Sequence, residues 1–121
     1  MPFSTYSCGT GQEDKGIVWL RGEVSTPPFS VEARRETGAM LRQLQQGVAL
    51  AFPHSRPLPC IGARCHELRV TDMESIWRII HRIEADAIVI LDIFQKKTQA
   101  TPDAVIAQCK ARLARYLQAI R

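Results

Sequence analysis

The chain has 121 residues, 45% hydrophobic and 23% charged, with seven glycines and seven prolines; this is one domain's worth near the globular average, and it excludes disordered, collagen-like and coiled-coil chemistry. Sixteen Lys and Arg against twelve Asp and Glu give a formal charge of +4, a mild excess that permits an anionic partner without demanding one. The longest apolar-leaning run, Ala87 to Ile93, is broken by Asp92 and falls far short of the ~20 residues of a membrane helix, so no membrane partner is expected.

Residues 1–14 carry few large apolar groups and several Ser, Thr and Gly, so burial cannot offset the entropy of ordering them. They have neither a basic start nor an apolar stretch, unlike a secretory signal. The expectation is a flexible extension over residues 1–15, a single domain over 16–121 and a cytoplasmic location. From Gly16 the run Ile17-Val18-Trp19-Leu20, closed by Arg21 and Gly22, reads as a first strand. Pro27 and Pro28 stop it, and Ser30 is a plausible N-cap. Val31, Met40, Leu41, Leu44 and Val48 then recur at helical spacing, which predicts an amphipathic helix over 30–46.

Prolines 53, 57 and 59 make the segment from Gly47 to Gly62 an irregular connection. The period then changes to two. Residues 65–70, 76–84 and 87–94 read as three strands of an antiparallel meander. Thr101, with Pro102 at the first helical position, is expected to cap a last helix whose buried stripe is Val105, Ile106, Cys109, Leu113, Tyr116, Leu117 and Ile120. The predicted architecture is α+β: a small, mainly antiparallel sheet, one N-terminal strand plus the meander, with both helices packed on one face.

The four cysteines form no C-x-x-C pair. His54, Cys60, Cys65 and His66 lie close in sequence, but their spacing fits no zinc knuckle, and adjacent Cys65 and His66 on a strand point to opposite faces. Free thiols and no metal or cofactor are expected.

Period-two bookkeeping on the meander locates candidate chemistry. His66, Leu68 and Val70 share one face and Glu67 and Arg69 the other; Trp77, Ile79, His81 and Ile83 share a face opposite Arg78, Ile80 and Arg82. If the apolar sets meet the helices, the other face presents Glu67, Arg69, Arg78 and Arg82, with Lys96 and Lys97 just beyond the last strand and Asp92 a neutralising neighbour. Such a face is suited to anions, although cross-strand Glu and Arg pairs are also ordinary sheet stabilisers. Twelve of the sixteen cations are arginine, whose planar fork fits phosphate better than lysine's point charge does.

Six segments carry a resemblance: Val18-Trp-Leu-Arg-Gly-Glu23, Thr26-Pro-Pro-Phe-Ser30, Pro53-His-Ser-Arg-Pro57, Cys65-His-Glu-Leu-Arg69, Trp77-Arg-Ile-Ile-His-Arg82, and Phe94-Gln-Lys-Lys-Thr98 with Thr101-Pro102. In this order they resemble the phage-derived, HigB-like branch of the RelE/ParE toxin superfamily, from Gly16 to Tyr116. The resemblance implies a RelE-like fold and the toxin of a type II toxin–antitoxin system. Such a toxin is a ribosome-dependent endoribonuclease that cuts mRNA by attack of a ribose 2′-hydroxyl on the neighbouring phosphate, and a helix-turn-helix antitoxin silences it. On this reading Glu67 is the candidate base, Arg78 stabilises the phosphorane, and Lys97 is the late catalytic cation. Arg69, Arg82, Lys96 and His66 support RNA or phosphate binding, and Phe94 offers a stacking surface. The family's late histidine or tyrosine has no clear counterpart, since Tyr116 falls on a helix's buried stripe; water, His66 or a lysine remain as the acid. The alternatives are a gyrase-binding poison resembling ParE and an inactive homologue that binds only RNA or an antitoxin.

Overall fold

The computed structural model describes residues 14–21, 29–51, 53–73, 75–96 and 101–120. Seven elements follow in order: β1 (Gly16–Trp19), α1 (Val31–Gln45), β2 (Ser55–Pro57), β3 (Cys65–Asp72), β4 (Ser75–Ile83), β5 (Ala87–Lys96) and α2 (Asp103–Ala119). They form an α+β domain around one five-stranded sheet of order β1-β5-β4-β3-β2. Every pairing is antiparallel except that of β1 with β5. No helix among the described residues is long and apolar enough to cross a membrane.

Helix α1 starts where the sequence predicts. Ser30 is its N-cap, and the Ser30 hydroxyl accepts a hydrogen bond from Ala33 N at 3.1 Å. Its end is a Schellman motif: Gly47 N donates to Leu44 O and Val48 N to Gln43 O. Gly47 has φ +87° there, a conformation that glycine adopts without steric cost. Lys15 is tied to this end by Lys15 N to Gln45 O and Gln45 Nε2 to Lys15 O, while Asp14 pairs with Arg42 at 2.6 Å. The rest of the expected extension, residues 1–13, lies outside the described residues.

Two expectations are corrected. The segment read as wholly irregular contains β2, a three-residue edge strand that pairs Arg56 with Glu67; proline interrupts a sheet least at an edge. The helices, expected on one face, cover opposite faces. Helix α1 packs Ala33, Met40, Leu41 and Leu44 against Leu68, Val70, Trp77, Ile79, Ile88 and Ile90. Helix α2 packs Cys109 and Leu113 against Cys65, Ile80, Ala87, Val89 and Leu91, joined by Leu58 and Ile61 from the β2–β3 connection. The cause is the unbroken apolar run from Ala87 to Leu91, buried throughout: a strand apolar at consecutive positions has two faces to bury and needs a layer on each. A bulge where Ile80 gives way to His81 lets Leu91 and Asp92 both serve the α2 side, since Ile80 pairs with Asp92 and His81 with Ile90.

Candidate functional site

The α2 side of the sheet is mainly apolar over β1 and β5 and at Cys65 of β3 and Ile80 of β4. Toward β2 and β3 it carries polar side chains in a register fixed by the ladder. Arg56 stands opposite Glu67, Arg69 opposite Arg78, and Arg78 opposite Phe94. Glu67 and Arg78 are diagonal neighbours, and they meet: Arg78 Nη1 donates to Glu67 Oε1 at 2.7 Å. Arg56 Nη2 lies 3.6 Å from the same oxygen. The other oxygen, Oε2, accepts a hydrogen bond from the Thr101 hydroxyl at 3.0 Å.

Glu67 is wholly buried and Arg78 is 1% exposed. Two guanidiniums thus converge on one carboxylate, and a third, Arg69, faces Arg78 across the rung. Arg56 and Arg69 are half-buried and bring this charge to the surface. Arg56 Nε is buried with no acceptor among the described residues, so a donor is left where an anion's oxygen would satisfy it.

The structure thus brings Glu67, Arg69, Arg78 and Phe94 together and separates Arg82 and His66 from them. Arg82 lies on the same face four residues along β4, roughly 13 Å away at strand rise, beyond buried Ile80, and its Nε pairs with Glu84 at 3.1 Å. His66 lies on the α1 side, stacked on His81 with ring centroids 5.9 Å apart; Cys65, on the opposite side, packs under α2. Lys96 ends β5 opposite Ile76, and Lys97 lies outside the described residues. Asp92, read as neutralising the basic face, instead lies 3.4 Å from Arg112 of α2.

Other reactive groups are held away from this chemistry. Tyr116 is thirteen residues beyond the start of α2, about 20 Å along the axis, and burial pushes its phenol up. Burial likewise raises the Cys65 thiol and pushes the Cys109 thiol up to about 12, leaving both protonated at neutral pH.

Two members of the site escaped the sequence reading. Arg56 lies among prolines, in a stretch that reads as loop; its position directly before Pro57, which biases a residue toward extended backbone, is the signal that points to a strand there. Thr101 reads as a helix cap, whereas the N-cap of α2 is Pro102, without any side-chain capping bond.

Residues 28–114, most of the chain, match the family described as phage-derived protein Gp49-like (DUF891). No curated protein matches the chain.

Proposed function

The chain belongs to the phage-derived Gp49-like family, a RelE-like toxin family, and on that premise we propose that it is the toxin of a type II toxin–antitoxin pair that cuts mRNA on the ribosome. The observation that carries this reading is the convergence of Arg56 and Arg78 on the single buried carboxylate of Glu67, with Arg69 on the same rung as Arg78. A structural ion pair needs one cation per carboxylate. A cluster of planar cations reaching the surface from a buried carboxylate suits a phosphodiester whose charge grows during reaction.

In the proposed reaction the ribose 2′-oxygen bonds to phosphorus as its proton departs. The phosphorus–5′-oxygen bond breaks, and that oxygen takes up a proton. The products are a 2′,3′-cyclic phosphate and a 5′-hydroxyl. Arg56 and Arg69, which reach the surface, stabilise the phosphorane oxygens, and Arg78, buried and held by Glu67, adds its positive charge from beneath. Phe94, half-buried beside Arg78 on the neighbouring strand, offers a ring against which a base stacks. The proton acceptor must reach the 2′-hydroxyl. Glu67 is buried with both oxygens occupied, so we assign it the task of holding the arginines and place proton transfer with Lys97, Lys96 or water. The partner that silences such a toxin is an antitoxin; a small helix-turn-helix protein with an acidic segment would complement the basic face.

Primer extension on mRNA from a translating lysate tests the reading. Cuts that appear only with ribosomes and the wild-type chain are the expected result. Inhibition of gyrase supercoiling without cuts would reassign the chain to the non-enzymatic, gyrase-binding class, and neither effect would leave an RNA- or antitoxin-binding homologue.

A further inference from the structure

We infer that Thr101 is a positioning residue for the arginine cluster, acting through Glu67, an inference that rests on the reading of this cluster as the cleavage site. A threonine just ahead of a helix ordinarily turns its hydroxyl onto the helix's first free N–H groups. Here α2 has no side-chain cap at all. The Thr101 hydroxyl is instead donated to Glu67 Oε2, on a strand 34 positions earlier in the chain. The residue thus gives up a local bond for a charge-assisted one across the fold.

This bond divides the Glu67 carboxylate. A carboxylate with both oxygens available takes an arginine as a two-pronged fork. With Oε2 held by Thr101, Oε1 is the oxygen that meets Arg78 at 2.7 Å and Arg56 at 3.6 Å. The rotation of the carboxylate about its long axis fixes where both guanidiniums stand, and Thr101 fixes that rotation. Thr101 is placed in turn by α2, whose Cys109 and Leu113 are buried against the β5 side of the sheet. Packing of the apolar face of α2 on Cys65 and Ile80 thereby sets the geometry of a polar cluster two residues further along the same two strands.

The test compares Thr101→Val, which removes the hydroxyl at nearly constant volume, with Thr101→Ser, which keeps it. Thr101→Val is expected to slow single-turnover cleavage on saturating programmed ribosomes about 10- to 100-fold, the scale of a sub-ångström to 1 Å misplacement, with ribosome affinity unchanged. Thr101→Ser is expected to cleave within about threefold of wild type, because the donor is kept. Equal rates for wild type and Thr101→Val would overturn the inference, and so would a Thr101→Ser chain as slow as Thr101→Val. If Thr101→Val does not fold, Thr101→Cys, a much weaker donor of similar size, takes its place: slowed cleavage is expected of it, and a wild-type rate would overturn the inference.

A second readout separates this inference from the functional reading. In 15N-labelled protein the guanidinium resonances of Arg56 and Arg78 are expected to shift in Thr101→Val and to stay in place in Thr101→Ser. If the wild-type chain cuts no RNA, the functional reading fails while these resonances still decide the role of Thr101. Unmoved resonances in Thr101→Val overturn it.

Discussion

Arg69 and Arg78 stand directly opposite each other on β3 and β4, two guanidiniums on one rung of the sheet. Like charges so placed weaken a sheet, and Arg78 carries the further cost of near-complete burial. Glu67 offsets that cost from the diagonal position, 2.7 Å from Arg78. A chain selected for stability alone would gain by apolar residues here, as the rest of β4 shows with Ile79 and Ile80. Local disagreement with the rules of sheet design is expected where a site is built.

The burial of the pair dictates how it responds to mutation. Arg78→Ala leaves the Glu67 carboxylate buried with weaker compensation, and the expected loss is about 3–5 kcal/mol of stability together with cleavage. The double variant Glu67→Gln, Arg78→Met removes both charges, so it should regain most of that stability while staying inactive. Denaturant melts beside cleavage assays check both statements. A double variant as unstable as Arg78→Ala would show that the ion pair is not the source of the loss.

Arg56 offers the cleaner probe of phosphate binding. Its side chain is 34% exposed and it stands 3.6 Å from Glu67, so its ion pair contributes at most about 1 kcal/mol. Arg56→Ala is therefore expected to melt close to wild type. Cleavage should fall about 10²-fold, the scale of losing one charge-stabilising donor in a transition state. Wild-type cleavage by a folded Arg56→Ala would remove this residue from the site.

The N-cap of α1 gives a calibration away from the site. Ser30→Ala deletes the hydroxyl that accepts from Ala33 N at 3.1 Å and should cost about 1 kcal/mol. The backbone tie from Ser30 N to Asp72 Oδ2 survives the change. That tie first, then the Ser30 hydroxyl, then the Trp77 Nε1–H bond hold the Asp72 carboxyl below the usual carboxylate range against the opposing effect of burial. A loss well above 2 kcal/mol in an equilibrium melt would mean that the hydroxyl's contact with Asp72 outweighs its role as a cap.

What could be read from the sequence follows the range of each signal. The α1 boundaries, the meander and the pairing of Glu67 and Arg69 on one face all rest on local periodicity and capping, and the structure has them. The placement of α2 needed knowledge of what lies across the sheet: residues 87–91 read as one strand, but their lack of alternation also meant two covering layers. Arg56 and Thr101 were hidden for a related reason. Each reaches Glu67 through a long-range contact, one from an edge strand among prolines and one from the residue two places before a helix, and local sequence reports neither. The split of His66 from Cys65 across the sheet, by contrast, is period-two geometry and appears as read.

Acid sensitivity is built into the α1 side. His81 is completely buried; its ring is pushed down to about 4, chiefly by burial and further by His66, against the raising effect of the Ile79 carbonyl. Its Nε2 has no partner among the described residues, so a proton there would be buried without an acceptor. Above pH ~6.5 folded and unfolded chains both hold a neutral His81, and its contribution to stability is intact. Between there and pH 4 only the unfolded chain takes the proton, so stability falls by up to about 3 kcal/mol and then levels. His81→Phe should abolish this part of the slope. Urea melts of both chains at pH 7 and pH 4.5 isolate it by difference, and parallel losses would clear His81.

Glu67→Gln separates two roles for the carboxylate. If Glu67 were the general base, the amide could not accept the 2′-hydroxyl proton, and cleavage would fall by ~10²-fold or more with a changed pH dependence. The geometry supports the holding role: the carboxylate is wholly buried, with Arg78 on one oxygen and Thr101 on the other. A glutamine can keep both contacts, since its oxygen still accepts from Arg78 and its NH2 can donate to the Thr101 hydroxyl, which accepts as readily as it donates. The guanidiniums should then stay near their places, so we expect cleavage within about tenfold of wild type and an unchanged pH profile. The loss should appear instead in stability, by about 2–3 kcal/mol, because two guanidiniums lose the charge that offsets their burial. A Glu67→Gln chain that melts like wild type but fails to cleave would return the base role to Glu67.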